Sequence, residues 1–234
     1  MIPDWLEPIR EGAHSITADD LTRFVPPEGS DARRGAVLVL FGEDEHGPEL
    51  LLTERSHTMR SHPGQVSFPG GSIDPGETPY DAALREAWEE TGLDPSGVEV
   101  FAELPELWLP PSNFAVTPVL GWWAEPTPVT RHSVEEVHAI HRVPITELVE
   151  PTYRVTVRHP SGWNGPGFLI GEERDVILWG FTAGIISRLF DHVGWSKPWD
   201  TDRMHDLPDY MFRGQDGAAR PPQPNTNFKE GPGR

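Results

Sequence analysis

Residues 78–92 constrain the fold most, because they combine a helix start, a helix stop and two chemically different faces. Thr78 is a suitable N-cap, Pro79 is favoured at the first helical position, and Gly92 is favoured just after the last turn. These signals predict a helix over Pro79–Thr91. A helix with an apolar side must pack that side against another layer of the protein.

Three glutamates share one side of this predicted helix. Relative to Glu86, Glu90 lies at about +40° and Glu89 at about −60° on a wheel of about 100° per residue. We expect these acids to point away from the core, while the opposite side packs on a sheet. That apolar side consists of Tyr80, Leu84, Ala87, Trp88 and Thr91.

Most acidic helix faces are simply solvated, but three clustered carboxylates repel one another unless a cation lies between them. Carboxylate oxygens suit Mg²⁺ and Mn²⁺, and Mg²⁺ often takes further ligands from water and substrate phosphates. Arg85 lies beside Glu89 on the wheel, and Glu77, just before the helix, can pair with Arg85. The pattern favours a metal-dependent site that activates water against a polyphosphate.

Elsewhere the chain shows mainly short β-like runs separated by turns. Ala36–Phe41 and Glu49–Arg55 flank a turn and are predicted to form a hairpin, and a second long helix is predicted over about 181–192. The irregular order of these elements predicts an α+β layered domain. Further strands are expected at 65–68, 98–104, 115–123, 137–143, 153–157 and 168–170.

The composition of the two ends predicts three regions. Residues 1–34 are expected to form an N-terminal extension with short helices around 4–10 and 18–24. Residues 35–200 are expected to form the folded domain, and residues 201–234 a flexible C-terminal tail. From Gly214 onward the tail has four Gly and four Pro in 21 residues, so it can bury little apolar surface and is predicted to be disordered.

Charge and residue usage exclude several classes of function. The formal net charge of −18 argues against a protein that binds nucleic acid by charge, and the lack of cysteine excludes thiolate metal sites. The ten histidines are scattered and show no metal-binding spacing. No apolar run approaches the roughly 18 residues of a membrane span, so we expect a cytoplasmic protein without membrane partners.

The spacing of Gly71, Glu77 and the run REAWEETGL at 85–93 resembles the Nudix box at every charged and glycine position. Only Ala87 departs, at a position where a larger aliphatic residue is commoner. The resemblance implies the Nudix fold, an αβα sandwich around a mixed β-sheet. It also implies divalent-metal-dependent hydrolysis of a nucleoside diphosphate linked to another group.

The same resemblance implies a set of catalytic and metal-binding residues, with Mg²⁺ or Mn²⁺ as cofactor. Arg85 and Glu77 belong to the catalytic set, and Gly70 resembles a residue whose carbonyl also reaches metal in some members. Which acid is the general base varies in the family and stays open. Glu136 is either a further acid near the metals or a surface charge. The metal-binding acids implied by the box are Glu86, Glu89 and Glu90.

Upstream of the box, the chain resembles the motif of the coenzyme A pyrophosphatase branch of the family. The matching positions are LLTERS at 51–56, Arg60, Gly64 and FPGG at 68–71. The resemblance implies hydrolysis of coenzyme A to 3′,5′-ADP and 4′-phosphopantetheine. Basic side chains here would offset substrate phosphates, unless the segment only shapes the entry to the helix. The substrate-binding residues that it implies are Arg55, Arg60, His62 and Gly64.

Two other functions stay open. The first is hydrolysis of another nucleotide such as ADP-ribose or a dinucleotide; Pro110 and Pro111 lie close to a proline of ADP-ribose-specific relatives, but at a different offset. The second is a non-catalytic domain that senses a nucleotide, which loss of box acids would favour, and none is lost. The expected partner is a small nucleotide, and a homodimer stays open.

Overall fold

The structure is a computed structural model that describes residues 1–24, 31–59, 61–110 and 112–212. Its described part contains two sheets and five α-helices. The central sheet contains β1 (Arg33–Asp44), β2 (Gly47–Arg55), β3 (Val66–Ser67), β4 (Gly70–Ser72), β5 (Val98–Glu103), β6 (Leu107–Leu109), β7 (Phe114–Trp123) and β8 (Val137–Pro144). The second sheet contains β9 (Arg154–Arg158), β10 (Asn164–Ile170), β11 (Val176–Leu178) and β12 (Met204–Asp206). The helices are α1 (Glu7–Ser15), α2 (Ala18–Leu21), α3 (Pro79–Thr91), α4 (Ile145–Leu148) and α5 (Gly180–His192).

The central sheet is mixed. Its main path is β3-β2-β1-β7-β5, with β4 beside β1, β6 beside β7 and β8 beside β2. The long strands β1 and β7 pair in parallel, whereas β1 and β2 form the predicted antiparallel hairpin. This arrangement, with α3 on one face and α1 and α5 on the other, confirms the predicted α+β sandwich.

Helix α3 begins and ends where the sequence predicts. The Thr78 hydroxyl accepts a hydrogen bond from the Asp81 N–H at 3.2 Å, and Thr78 and Asp81 form a reciprocal capping box. Gly92 follows the last turn at φ 68°, in the left-handed region that glycine adopts without steric cost. The helix axis is therefore fixed at both ends by local chemistry.

The packed side of α3 differs from the prediction. Tyr80 and Trp88, expected in the core, are 41% and 50% exposed. The buried side is built instead from small residues, which let the helix backbone lie close to the sheet where two large aromatic rings would not fit. This rotation brings Glu90, expected to point away from the core, to the margin of the packed side, where it is 8% exposed. The buried apolar residues of α3 are Ala82, Ala83, Leu84 and Ala87.

The predicted N-terminal extension packs onto the domain. Leu6 and Ile9 are fully buried and belong to the same apolar cluster as α5. A Cβ atom on Gly12 would lie 2.6 Å from the Val193 side chain, so α1 lies close to the end of α5. The segment from Met1 to Phe24 is thus part of the αβα layers, and residues 25–30 lie outside the described residues.

The first residues of the predicted flexible tail are docked. Strand β12 pairs in parallel with β9, and Leu207 and Met211 are buried in a cluster that includes Val157 and Trp179. The docked part of the chain therefore extends beyond the expected domain boundary at residue 200. The sequence did not indicate this, because Leu207 follows a run of mainly polar residues. The predicted disorder from Gly214 onward lies outside the described residues.

Among the described residues, no helix has both the length and the apolar character needed to cross a bilayer.

Candidate active site

Arg85 connects three of the candidate acids. Its Nε and Nη2 donate to the two carboxylate oxygens of Glu77 at 2.8 and 3.0 Å, and Nη1 donates to Glu86 at 3.0 Å. Nη2 also donates to the Ser72 carbonyl at 2.9 Å, while Glu89 lies farther away, at 3.4 Å from Nη1. The hydrogen bonds from Arg85 and from the Asp74 N–H lower the pKa of Glu77 to about 2. The predicted Glu77–Arg85 pair therefore orients Glu86 from the loop before the helix.

Glu86 faces the glycine turn that precedes the helix. A Cβ atom on Gly71 would lie only 2.5 Å from the carboxyl carbon of Glu86, so a side chain at this position would displace the acid. Burial raises the pKa of Glu86, and the hydrogen bond and charge of Arg85 only partly oppose the increase. The lack of a side chain at position 71 thus leaves the space that the Glu86 carboxylate occupies.

Glu90 lies deeper in the same site. Its carboxylate accepts a hydrogen bond from the Gly70 N–H, and the Thr53 hydroxyl lies 3.5 Å from one of its oxygens. Burial and the nearby charge of Glu86 raise the pKa of Glu90 to about 8, against the opposing influence of Arg55. A carboxylate held this way is stable in its charged form only when a positive charge lies close to it.

Glu136, which comes from the segment before β8, lies near both acids. Although it is exposed, its charge contributes to the raised pKa of Glu86 and of Glu90. Its backbone carbonyl accepts a hydrogen bond from the Ser56 N–H at 2.7 Å, which ties this segment to the end of β2. The structure therefore brings Glu136 toward the acids of α3.

Arg55 brings positive charge to the edge of the acidic site, and His62 lies near it. Arg55 Nη2 donates to Met59 Sδ at 3.1 Å, whereas its buried Nε has no hydrogen-bond partner among the described residues. Burial and the charge of Arg55 lower the pKa of His62. Because Arg55 influences both His62 and Glu90, the three side chains lie in one neighbourhood.

Gly64 makes contacts within the protein itself. Its N–H donates to the Arg55 carbonyl at 3.2 Å, and it adopts φ +67°. A Cβ atom would lie 2.6 Å from the Tyr210 ring, so the glycine permits close contact with the C-terminal segment. Arg60, the fourth predicted substrate residue, lies outside the described residues.

Comparison with known proteins identifies the family. The NUDIX domain family matches residues 31–161, which is more than half of the chain. The chain belongs to the Nudix family. It is 38% identical over 194 residues to NudL of Enterobacter sp. (strain 638), described as an uncharacterized Nudix hydrolase; the match covers 77% of this chain and 97% of the relative. It is 34% identical over 149 residues to Nudix hydrolase 3 of Caenorhabditis elegans, covering 63% of this chain and 62% of that protein.

A solved structure supports the fold. The Nudix hydrolase RenU of Mycobacterium smegmatis aligns with a TM-score of 0.51 and 21% identity, over 70% of this chain and 86% of that one. At this identity the likeness concerns the Nudix fold alone.

The residues of the Nudix box fit a divalent cation, which Nudix hydrolases generally use. Glu86 and Glu90 are oxygen donors of the kind that hard cations prefer, and nearby negative charge raises the pKa of each: Glu89 and Glu136 act on Glu86, and Glu86 and Glu136 act on Glu90. A cation next to them would remove the repulsion that raises the pKa of both acids. Glu89, which is more exposed and only loosely held by Arg85, remains free to reorient toward such an ion.

Sequence reasoning missed three contributors to this Nudix site. These are the Thr53 hydroxyl, the Ser72 carbonyl and the Gly70 N–H, of which the last two are backbone groups. Backbone donors and acceptors carry no residue signature, so the pattern of side chains could not reveal them. Thr53 could have been found, because period two places it on the same face of β2 as Arg55.

Proposed function

We propose that this Nudix protein hydrolyses the diphosphate linkage of coenzyme A or a derivative, giving 3′,5′-ADP and 4′-phosphopantetheine. The observation that carries the proposal is the buried Arg55 Nε, which lacks an acceptor among the described residues, on a side chain whose charge acts on Glu90. A buried donor without a partner is unfavourable, and a phosphate oxygen would satisfy it. The motif at 51–71, which resembles the coenzyme A pyrophosphatase branch, includes this arginine.

The proposed reaction requires two things: neutralisation of the diphosphate charge and activation of the attacking water. When bound, a divalent cation neutralises part of the diphosphate charge and makes water more acidic. Glu86, Glu89 and Glu90 would hold the cations, and Arg85 would keep Glu86 oriented through its contacts with Glu77 and Ser72. Glu136 would accept a proton from the attacking water, a role supported by its electrostatic influence on both Glu86 and Glu90.

The direct test is a panel of nucleotides with the products identified by mass. Coenzyme A, acylated coenzyme A, dephospho-coenzyme A, ADP-ribose and a dinucleotide would each be supplied with Mg²⁺ and with Mn²⁺. We expect the highest kcat/KM for a coenzyme A, with cleavage inside the diphosphate. Faster hydrolysis of ADP-ribose or the dinucleotide would replace the substrate assignment, and no hydrolysis of any substrate would favour a nucleotide-sensing domain.

Variants of the two arginines test recognition of the 3′-phosphate. If Arg55 or Arg60 contacts that phosphate, changing it to Ala removes a charge-assisted bond of about 1.5–3 kcal/mol, so kcat/KM for coenzyme A falls roughly tenfold or more. Dephospho-coenzyme A lacks this phosphate, so its hydrolysis should fall much less. Arg34→Ala is the matched control, because Arg34 pairs with Glu106 at the surface. Equal losses on both substrates would assign the arginine to the diphosphate or to the scaffold.

A further inference from the structure

A second group of metal-ligating side chains lies on the face of the central sheet opposite α3. Along β2, Leu51 packs in the cluster that contains α3, whereas Leu50 and Leu52 pack in the cluster that contains α5. Thr53 continues the first face, since its hydroxyl reaches Glu90. Because side chains alternate along a strand, Glu54 points to the other face, away from the acids of α3.

Glu54 meets histidines from two separate segments. The Glu54 side chain is 8% exposed. Oε1 lies 2.6 Å from His57 Nε2, just after β2, and Oε2 lies 2.9 Å from His141 Nε2 on β8. His138 stacks beside His57 with ring centroids 4.4 Å apart. One ligand atom each from Glu54, His57 and His138 lie within 4.8 Å of one another.

The local sheet geometry explains why His138 reaches the cluster. Strands β2 and β8 are antiparallel, and Glu54 lies opposite Ala139. The register shifts between Glu54 and Arg55, so that Arg55 lies opposite Val137 and His138 is an extra residue on β8. Such a bulge redirects a side chain that regular alternation would place elsewhere.

The chemistry of this group differs from that of the Nudix box. Two imidazoles and one carboxylate form the ligand set typical of an open zinc site, whereas Mg²⁺ prefers oxygen ligands alone. Ligand atoms about 2.0–2.2 Å from a tetrahedral Zn²⁺ are roughly 3.3 Å apart. The separations here, from 2.6 Å between Glu54 and His57 to at most 4.8 Å within the trio, lie on either side of that value. Small side-chain rotations of the two exposed histidines would bring the ligands into place.

We propose that Glu54, His57 and His138 bind a transition-metal ion such as Zn²⁺ at a site separate from the Nudix box. His141 orients the carboxylate through its second oxygen, as outer hydrogen bonds commonly do around metal ligands. The trio joins β2, the segment that follows it and the start of β8. A bound ion would therefore fasten the segment that carries His62 and Gly64.

The C-terminal segment closes over one side of this site. Tyr210 stacks on His57 with ring centroids 5.0 Å apart and planes 15° apart. Gly64 lies beside both rings, since a Cβ there would be 2.6 Å from the Tyr210 ring and 3.3 Å from His57 Nε2. Metal binding at His57 should thus also stabilise the docking of residues around Tyr210.

Zinc binding to the untagged full chain tests the site. Calorimetric titration with Zn²⁺ would be done in excess Mg²⁺, so that the acids of α3 do not compete for zinc. We expect about one equivalent to bind, and His57→Ala and His138→Ala each to weaken its affinity at least about tenfold because one ligand is lost. His46→Ala is the matched control: His46 is exposed beside Glu45, at 3.6 Å, without a third ligand in the described group.

Two further measurements separate a built site from loose binding. Co²⁺ in place of Zn²⁺ should give the intense visible absorption of a low-coordinate site, and His57→Ala and His138→Ala should remove it. Zn²⁺ should also raise the melting temperature of the wild type but of neither variant. Because His57→Ala also loses the bond to Glu54 and the stacking on Tyr210, the zinc-induced shift of each variant is measured against the same variant in chelator, and circular dichroism verifies its folding. No zinc binding in excess Mg²⁺, or equal binding by wild type and both variants, would overturn the proposal.

Discussion

At the scale of single residues, Glu90 links the fold to the proposed chemistry. It is buried at the margin of α3, and its carboxylate accepts the Gly70 N–H while Glu86 lies close by. Neighbouring negative charge and lost hydration both disfavour its ionised form, so the folded protein stores an unfavourable interaction there. A buried acid with a raised pKa is typical of a functional site, and here it is suited to binding a cation.

Substitution of Glu90 should therefore remove activity without harming the fold. We expect Glu90→Gln to lower kcat at least about 10²-fold, because a metal-binding acid of the proposed site is lost. Glu89→Gln should have a similar effect, and Glu45→Gln, which changes an exposed acid in the β1–β2 turn, should have none. Steady-state kinetics with the best substrate of the panel provides the measurement. Full activity in both box variants would contradict the role proposed for these acids.

The pH dependence of stability tests independently whether the pKa of Glu90 is raised. Since the pKa of Glu90 is raised to about 8 from its ordinary 4.5, its contribution is fully present below about 4.5 and is lost as the pH rises through 8. Glutamine does not titrate. In chelator, the melting temperature of Glu90→Gln should therefore rise relative to wild type between about pH 5 and pH 8. A difference that stays constant with pH would show that Glu90 is not held in this way.

At the scale of elements, the helix signals were strong enough to fix α3 residue by residue. Thr78, Pro79 and Gly92 act within one turn of each end, so local chemistry decides where the helix begins and ends. Which side is buried depends on the partner sheet, and this is why Tyr80 and Trp88 were misplaced. Helical periodicity predicts which residues share one side of a helix. How deeply each residue is buried depends also on the shape of the sheet against which the helix packs.

Two glycine-to-alanine changes should move stability in opposite directions. Gly92 has φ +68°, and an added Cβ would lie 2.5 Å from the His132 ring, so Gly92→Ala should cost roughly 1–2 kcal/mol. Gly184 lies within α5 with nothing within 4 Å of an added Cβ, so Gly184→Ala should stabilise by about 0.5–1 kcal/mol. Denaturant unfolding would measure both. Stabilisation of both variants would mean that the α3 terminus tolerates a side chain, and destabilisation of both would mean that α5 does not accept one at Gly184.

At the scale of the whole molecule, the sequence could not predict which distant segments meet. Glu54 and His57 are close in sequence, but His138 and His141 reach them only because β8 pairs with β2 and a bulge shifts the register. His138 and His141 are more than 80 residues away from Glu54 and His57, so no short sequence motif could reveal the cluster. The Nudix box is the opposite case, because its acids lie within two turns of one helix.

The C-terminal segment shows the same dependence on distant contacts. Leu207 and Met211 are buried, and Tyr210 packs on His57 and Gly64, although local composition indicated a flexible tail. Strand β12 supplies the backbone pairing that holds these residues in place. The C-terminal segment therefore contacts both sheets: β12 pairs with β9 of the second sheet, and Tyr210 packs on His57, just after β2 of the central sheet.

Two truncations should distinguish the docked part of this tail from the remainder. Removal of residues from 203 onward deletes β12, Leu207 and Met211, whose burial stabilises by about 1.5–3 kcal/mol each, so unfolding should become easier by roughly 3 kcal/mol or more. Removal from 214 onward deletes little apolar surface and should change stability by less than about 1 kcal/mol. Denaturant midpoints of the two proteins give the comparison. Similar losses from both would mean that residues beyond 213 also pack on the domain, and no loss from either would mean that the contacts of Leu207 and Met211 do not persist in solution.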